Sequence, residues 1–314
     1  MATKRKQRSS KPRRDVYQDI TDTIVRQLED GIRPWLKPWN AEHAAGRITR
    51  PLRHNGEPYN GMNILMLWCS AEEHGFVSPY WLTFKQAQAL GGHVRKGEKG
   101  SPVVYASTFE KTDTNANGED VEQRIPFLKQ YTVFAADQCE GLSEHFYELK
   151  QPPNESIERI AAADTFFQAT EADIREGGNR AYYAIGSDHI QMPPLECFRD
   201  AESQAATLAH ELTHWTRHKT RLDRDLGRKR WGDEGYAMEE LVAELGSAFL
   251  WADLSITPEV MPDHAAYLAS WLKVLKEDKR AIFSAASLAS KAVDYLHSLQ
   301  IDGQPVHENQ VATV

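Results

Sequence analysis

Apolar residues recur at helical spacing near the start of the sequence. Between Asp15 and Asp30 they stand three or four positions apart, and Gly31 follows where a helix would stop. The same spacing predicts helices over 62–74 and over Phe84–Leu90, the second of which ends at Gly91-Gly92. The pattern therefore predicts three helices in the first third of the chain.

The remaining pattern alternates between extended and helical stretches. β-Branched and aromatic runs predict strands, polar runs predict loops, and from Ser203 onward the spacing is helical almost to the end. The further predicted elements, in chain order, are strands over Val94–Ala106 and Tyr131–Ala135 with a loop over 111–123, a helix over 155–170, strands over Ala181–Ile185 and His189–Met192, and a polar basic segment over 217–235 between two helices.

This order of elements predicts an α+β protein with two domains. The strand region closes at Glu140-Gly141 and the Pro-containing segment 151–154 follows, so the boundary is expected within 141–155. The expected domains are then 15–150 and 151–314. Residues 1–14 hold seven positive charges and no acid, which predicts a mobile basic arm; a solubilising tail without a specific partner is the alternative.

The composition narrows the class of protein. With 41% hydrophobic and 26% charged residues it is typical of a soluble globular chain. The net charge of −8 is uneven, because 1–140 contains 20 Lys+Arg against 17 Asp+Glu and 141–314 contains 17 against 28. A nucleic acid is therefore expected on the first half. Three scattered cysteines, no signal peptide and no apolar run of membrane length predict a cytoplasmic protein.

Two histidines stand four positions apart in a segment of high helix propensity, Gln204–Trp215. On a helix His210 and His214 share one face and Glu211 flanks them, which is the HExxH arrangement of zinc hydrolases. Neutral imidazoles bind Zn²⁺, and the adjacent carboxylate can accept a proton from metal-bound water. The alternative is a chance pair on a surface helix. We predict a metal site for Zn²⁺, or for Mn²⁺ in its place, with Glu211 as the catalytic base.

A catalytic zinc site needs a third protein ligand. A histidine six positions after His214 is excluded because Thr220 stands there, whereas the next predicted helix carries Glu240 and Glu244 on one face among apolar residues. This pair resembles the third-ligand helix of the gluzincins, which implies that Glu240 binds the metal and that Glu244 orients a ligand histidine. The reverse order and a role for Glu239 stay open. The strand before the HExxH helix resembles the edge strand of a zincin sheet, which could pair with an extended peptide.

Aromatic and basic residues interleave in the first half of the chain, as in proteins that stack unpaired bases and hold a phosphate backbone. The alternative is that the aromatic residues belong to the core and that the cations are ordinary surface residues. The residues predicted to bind single-stranded DNA are Arg33, Trp35, Lys37, Trp39, Arg53, Tyr59, Asn60, Asn63, Trp81, Thr83, Lys85, Gln86, Arg95, Lys96 and Lys99.

Apart from the basic arm, the chain resembles the ArdC-type antirestriction proteins of plasmids and phages. The motifs that carry this resemblance are Asn55-Gly-Glu-Pro-Tyr59-Asn-Gly61-Met-Asn63, Trp81-Leu-Thr83-Phe-Lys85-Gln86, Gly91-Gly-His-Val-Arg95-Lys96-Gly97-Glu98-Lys99-Gly100, Val133-Phe134, Gln138, Gly141-Leu142, His210-Glu-Leu-Thr-His214-Trp215 and His264-Ala-Ala-Tyr267. The resemblance implies a domain that binds single-stranded DNA followed by a zincin-like metallopeptidase domain, and protection of incoming DNA from host restriction.

Two further interpretations remain open at this stage. The chain could be a DNA-binding and protein-binding factor with a structural or vestigial zinc, or an accessory module for replication or priming, since the resemblance extends to a module of plasmid primases. If hydrolysis occurs, subunits of restriction systems or other DNA-bound proteins are the expected partners besides single-stranded DNA, and no membrane partner is expected. The HExxH motif does not distinguish a hydrolytic site from a vestigial one.

Overall fold

The computed structural model describes residues 15–31, 33, 35, 50–114, 120–147, 156–227, 234–256 and 265–300. The basic arm 1–14, the predicted DNA-binding residues Lys37 and Trp39, and most of the predicted boundary 141–155 lie outside these ranges.

Within the described residues, the first half combines three helices with six strands. Helices and strands run, in chain order, α1 (Val16–Glu29), β1 (Leu52–Arg53), α2 (Met62–His74), β2 (Tyr80–Leu82), α3 (Phe84–Ala89), β3 (His93–Val94), β4 (Ser101–Thr114), β5 (Asp120–Ala135) and β6 (Cys139–Glu140). The main sheet has the strand order β1-β2-β5-β4, and β3 pairs with β6 separately. The three predicted helices are confirmed.

The strand prediction for this half was partly wrong. Residues 94–106 do not form one strand, because the chain turns at Gly97, whose φ is +93°, before β4 begins. Most of the predicted loop 111–123 belongs to β4 and β5, which pair antiparallel from Ser101 with Val133 to Thr114 with Asp120. In 111–114 and 120–123 backbone pairing extends the hairpin through residues without an apolar pattern, and periodicity detects burial but not pairing.

The second half carries a small sheet and most of the helices. Its elements are α4 (Ser156–Gln168), β7 (Asp173–Glu176), β8 (Tyr182–Ala184), β9 (His189–Met192), α5 (Ala201–Trp215), α6 (Glu234–Leu254), α7 (Ala265–Glu277) and α8 (Ala281–Ser298). The sheet order is β7-β9-β8, so the predicted strand pair is confirmed and β8 lies at an edge. Helix α6 packs against α5 on one side and α8 on another.

The two halves share one hydrophobic core. Trp35 packs edge-on against Trp271 with ring centroids 6.1 Å apart, and Trp68 packs against Phe249 at 5.8 Å. These four rings belong to a single cluster of buried residues, which also includes buried residues of α1, α2, α5 and α8. A hydrogen bond of 2.8 Å from Thr21 Oγ1 to the carbonyl oxygen of residue 279 adds a polar contact between the halves.

None of the described helices combines enough residues with enough apolar character to cross a membrane.

Candidate metal centre

Helix α5 begins at a polar cap that fixes its register. The side chain of Asp200 accepts hydrogen bonds from the backbone nitrogen of Ser203 at 2.7 Å and from its Oγ at 2.6 Å. His210 stands ten positions after the cap and His214 one turn later, and their Nε2 atoms approach to 3.1 Å. The helix therefore aims two imidazole nitrogens at a common point.

Helix α6 brings a carboxylate to the same point because it packs closely on α5. The contact is made at Gly246, where a Cβ atom would lie only 2.5 Å from Cγ2 of Thr213. Six positions earlier on α6, Glu240 places Oε2 at 3.6 Å from Nε2 of His210 and Oε1 at 3.7 Å from Nε2 of His214. The predicted trio is therefore assembled in the structure.

The three side chains fit a divalent metal ion. One ligand atom from each of His210, His214 and Glu240 lies within 4.8 Å of the others. Tetrahedral zinc with bonds of about 2.0–2.1 Å separates its ligands by about 3.3 Å, close to the three distances found here. Two imidazoles and one carboxylate are also the donor set of the zinc peptidases that keep a coordination position for water. The geometry thus agrees with the predicted third ligand, Glu240.

A second carboxylate orients His214. Its Nδ1 donates to Oε1 of Glu239 at 3.1 Å, which leaves Nε2 free to face the metal position. Arg224 donates to the same carboxylate from Nη2 at 2.7 Å and from Nε at 2.9 Å. Burial opposes ionisation of Glu239, but the hydrogen bonds from Arg224 and His214 outweigh it and lower the pKa of this carboxyl to about 2. The sequence singled out neither Arg224 nor this role for Glu239.

Glu244 lies on the other side of the site, beside His210. Its Oε2 is 3.9 Å from Nδ1 of His210, and the side chain is 1% exposed. Two residues of the first half contact Oε1 of Glu244: Trp35 Nε1 donates at 3.4 Å and Arg33 Nη1 lies at 3.5 Å. A buried carboxylate needs such partners, and both were predicted to bind DNA. The metal centre therefore includes residues from both halves.

The electrostatics of the trio favour a bound positive charge. Burial alone would keep the imidazole of His214 neutral, but the carboxylates of Glu240 and Glu239 outweigh it and raise the pKa of His214 to about 10. Burial likewise opposes the ionised form of Glu240, yet the two histidines hold the pKa of its carboxyl far below the usual range. The site attracts a cation, and a divalent ion can take the place of the protons.

The candidate ligands open into a cavity of about 510 Å³. Glu211, the predicted base, is buried in its wall next to His210. Tyr182 and Tyr183 of the edge strand β8 form part of the rim. The full lining consists of Ala181, Tyr182, Tyr183, Ile185, Ala206, Thr207, His210, Glu211, His214, Arg217, Tyr236, Glu240, Glu244, Ser247, Trp251, Tyr267 and Trp271.

Several residues predicted to bind DNA have structural contacts instead. The rings of Trp35 and Trp81 are 0% and 2% exposed, so the core alternative describes both and neither face is open to a base. Tyr59 is also buried. Asn63 exchanges two hydrogen bonds with the backbone of residue 104, at 2.7 and 2.8 Å. These four side chains therefore contribute to the packing of the protein.

Eight other predicted DNA-binding residues within the described ranges lie at or near the surface. Thr83 and Gln86 form a capping box at the start of α3, with hydrogen bonds of 3.3 and 2.8 Å, and Arg95 is paired with Glu98 at 2.7 Å. The remaining residues of this group, Arg53, Asn60, Lys85, Lys96 and Lys99, are exposed.

Exposed aromatic rings occur elsewhere in the first half. Tyr105 and Tyr131 are each 46% exposed, on neighbouring strands of the β4–β5 hairpin. Register pairs Tyr105 with Lys129 and Val103 with Tyr131, so both tyrosines and the lysine share one face of the hairpin. Nζ of Lys129 lies 5.3 Å from the ring centroid of Phe127 on this face. Sequence reasoning missed this group because it lies beside a stretch that was assigned to a loop.

Two protein-family models match the chain. Residues 14–134 match the N-terminal domain of the anti-restriction factor ArdC, and residues 161–288 match a zincin-like metallopeptidase. The uncharacterized protein y4eC of Sinorhizobium fredii is 41% identical, over 92% of this chain and 94% of that protein. Two DNA primases TraC of Escherichia coli are 38% and 34% identical over 89% and 93% of this chain, but over only 27% and 20% of the primases.

Two solved structures of an ArdC protein are also similar to this chain. The antirestriction ArdC protein of plasmid R388 in its metal-free form is 47% identical, with a TM-score of 0.76 over 91% of this chain and 97% of that one. A Mn(II)-bound structure of the same protein is 45% identical, with a TM-score of 0.75 over 92% of this chain and 100% of that one. The match extends over both halves of the molecule.

Proposed function

The chain belongs to the ArdC-type antirestriction family, and from this premise we propose that it protects incoming plasmid or phage DNA from host restriction in the cytoplasm. The observation that carries the proposal is the combination, in one chain, of the ArdC N-terminal domain with a zincin-like half that assembles two histidines and a glutamate within 4.8 Å. In this proposal the first half of the chain binds single-stranded DNA, and the second half binds Zn²⁺ or, in its place, Mn²⁺.

We assign the roles at the metal centre as follows. His210, His214 and Glu240 would hold the ion, which when bound polarises a peptide carbonyl and lowers the pKa of a water molecule. Glu211, in the wall of the same cavity, would accept the proton of that water and pass it to the leaving amine. An extended peptide would pair with the edge strand β8. Subunits of restriction systems and other DNA-bound proteins are the substrates that fit such a role.

The part of this hairpin face that carries Tyr105, Lys129 and Tyr131, next to the buried Val103, is the proposed stacking surface for unpaired bases. Tyr105 and Tyr131 offer open rings, and Lys129, which lies opposite Tyr105 and two positions before Tyr131, offers a cation to the phosphate backbone. Lys96 and Lys99, which the sequence already indicated, are exposed shortly before β4. This surface combines the two features by which proteins hold single strands without reading their sequence.

DNA binding is tested by changing Tyr105 and Tyr131 together to Ala in the full chain. Stacking contributes about 1–3 kcal/mol per base, so we expect affinity for a labelled single-stranded oligonucleotide to fall at least tenfold in an anisotropy titration. Tyr182→Ala, which removes an equally exposed ring from the second half, is the matched control and should bind as the unchanged protein does. Unchanged affinity in the double variant would contradict the proposed surface.

Antirestriction is tested by plasmid transfer into recipients with and without a restriction system. We expect the chain to raise transfer into the restricting recipient only, and equal transfer with and without it would contradict the proposal. Glu211→Gln, which keeps the side-chain volume and should keep the metal, separates two mechanisms. Loss of protection indicates hydrolysis, whereas full protection indicates that the DNA-binding half acts by occupancy.

A role in priming is the second candidate function. It is favoured by the match to the two TraC primases, although the chain spans only 27% of one and 20% of the other. A priming accessory should bind replication proteins and should not change transfer into a restricting recipient. The transfer experiment therefore also separates these two candidates.

A further inference from the structure

Arg217 lies in the wall of the cavity that contains the candidate metal ligands. It follows His210 by seven positions and His214 by three, so the chain that leaves α5 continues the face on which both histidines lie. Its backbone nitrogen donates to the carbonyl oxygen of His214 at 3.0 Å, which holds the residue against the last turn of the helix. The cation is therefore placed within the same cavity as the candidate ligands.

The guanidinium of Arg217 has no protein partner among the described residues. Its Nε is buried and makes no hydrogen bond. The two neighbouring arginines differ in this respect, because Arg221 is paired with Asp188 and Arg224 with Glu239. A buried donor without an acceptor is unfavourable, and it is a frequent property of groups that bind a ligand. Arg217 is thus available for an acceptor brought by another molecule.

The remaining cavity wall limits what that acceptor can be. Arg217 is the single Lys or Arg among the described lining residues, and the wall also contains the three carboxylates of Glu211, Glu240 and Glu244. A nucleic-acid backbone, with a charge at every nucleotide, would be repelled by these carboxylates. A peptide with one carboxylate would face one cation, and the tyrosines of the wall would cover its apolar parts.

We propose that Arg217 binds a carboxylate of the peptide held at the metal centre and so gives this site a preference for an acidic group. The proposal rests on the peptide-binding role proposed above for the same cavity. The carboxylate can come from an Asp or Glu side chain or from a C-terminus, and both would be bound through paired N–H donors of the guanidinium.

The test uses the metal-loaded full chain and three peptide hydroxamates, because a hydroxamate binds a divalent metal without being cleaved. One is a tripeptide amide with a Glu residue, the second has Gln in its place, and the third has Gln and a free C-terminal carboxylate. Affinities are measured by calorimetry for the unchanged protein and for Arg217→Met, Arg217→Lys and Arg175→Met. The last variant is the control, because Arg175 is an exposed arginine paired with Asp173 on β7.

We expect one of the two carboxylate probes to bind about tenfold more tightly than the neutral Gln amide, as a charge-assisted hydrogen bond implies. The probe that gains identifies the source of the carboxylate. The advantage should disappear in Arg217→Met, return in part in Arg217→Lys and persist in Arg175→Met, with equal metal content in all four proteins.

Three outcomes would overturn the inference. Equal affinity for all three probes in the unchanged protein would remove the preference. An equal loss for every probe in Arg217→Met would show a general contact in place of a carboxylate contact, and displacement of the probes by a single-stranded oligonucleotide would favour a phosphate ligand. Failure of every hydroxamate to bind, with the metal present, would overturn the proposed peptide site itself and can be distinguished from the first three results.

Discussion

At the residue scale, each candidate histidine ligand has a neighbouring carboxylate besides that of Glu240, and each of these two carboxylates has a cation. Glu239 supports His214 and is held by Arg224, whereas Glu244 lies beside His210 and is contacted by Arg33. The hydrogen bond from His214 to Glu239 fixes the orientation of that ring and keeps its metal-facing nitrogen deprotonated once the ion is bound. The charges of the centre are therefore balanced in pairs.

The first prediction concerns the ligands. His210→Ala or His214→Ala should remove stoichiometric zinc from the purified protein, because two donors do not hold the ion. Glu240→Ala should weaken zinc binding more than Glu244→Ala, since only Glu240 faces both Nε2 atoms. Elemental analysis and chelator competition measure this. If Glu244→Ala weakens zinc binding more than Glu240→Ala, the two glutamates exchange their roles. Equal zinc content in all four variants would contradict the site.

The second prediction concerns the contact between the halves at Glu244. Trp35→Phe keeps an aromatic ring in the core but removes the N–H that Glu244 accepts at 3.4 Å. Because outer contacts typically contribute about 10–100-fold to metal affinity, we expect a loss of about tenfold in zinc affinity and a changed absorption spectrum of the Co²⁺-substituted protein. Trp68→Phe, another buried ring with a different neighbour, is the control. Equal metal affinities in the two variants would contradict the contact.

The sequence predicts part of this centre for a clear reason. His210 and His214 are four positions apart on one helix, so local periodicity is sufficient to place them together. Glu239 and Arg224 are 15 positions apart in sequence, and their contact depends on how α6 packs along α5. Nor could the pattern of Trp and Arg show that Trp35 is buried, because the same residue types line cores and DNA-binding grooves.

At the element scale, the spacing of α5 and α6 determines whether the ligands meet. The helices approach at Gly246 and Thr213, where the absent side chain of the glycine leaves room for the threonine. Sequence periodicity predicts both helices, because their apolar positions are regular. It does not predict the distance between the two helices, which depends on the small residue Gly246 at their contact.

The third prediction tests this spacing. In Gly246→Ala the added Cβ would lie 2.5 Å from Thr213 Cγ2, so we expect a destabilisation of about 1–3 kcal/mol and weaker zinc binding as the helices separate. The double variant with Thr213→Ala removes the clash and should recover most of the zinc affinity. Gly186→Ala, where a Cβ would meet nothing within 4 Å, is the control. Urea unfolding measures the stability, and chelator competition measures the zinc affinity. If Gly246→Ala changes neither of them, the packing account is contradicted.

At the scale of the whole molecule, the two family models describe halves that are not independent in the fold. Residues 14–134 and 161–288 match different models, yet α1 and α2 bury their apolar faces in the same cluster as α5, α6 and α8. Composition shifts and the Pro-containing segment predict a boundary near 141–155, but they carry no information about contacts across it. A shared core means that the stability of the first half depends on the second.

The fourth prediction follows from the shared core. Zinc at about 100 times its dissociation constant should stabilise the protein by about 2.7 kcal/mol, and the gain should extend to both halves. Hydrogen exchange followed by mass spectrometry should then show slower exchange in α1 and α2 as well as in α5 and α6. The His214→Ala protein should show none of these changes. If zinc slows hydrogen exchange in the second half alone, the two halves are independently stable domains.

The most direct test of the central claim, that one divalent ion is held between α5 and α6, is anomalous diffraction from zinc-loaded crystals at the zinc absorption edge. We predict one anomalous peak at about 2.0–2.2 Å from Nε2 of His210, Nε2 of His214 and a carboxylate oxygen of Glu240. Glu239 and Glu244 should stay outside bonding distance. A peak bound to either of these glutamates in place of Glu240, or a peak only at another position, would contradict the account.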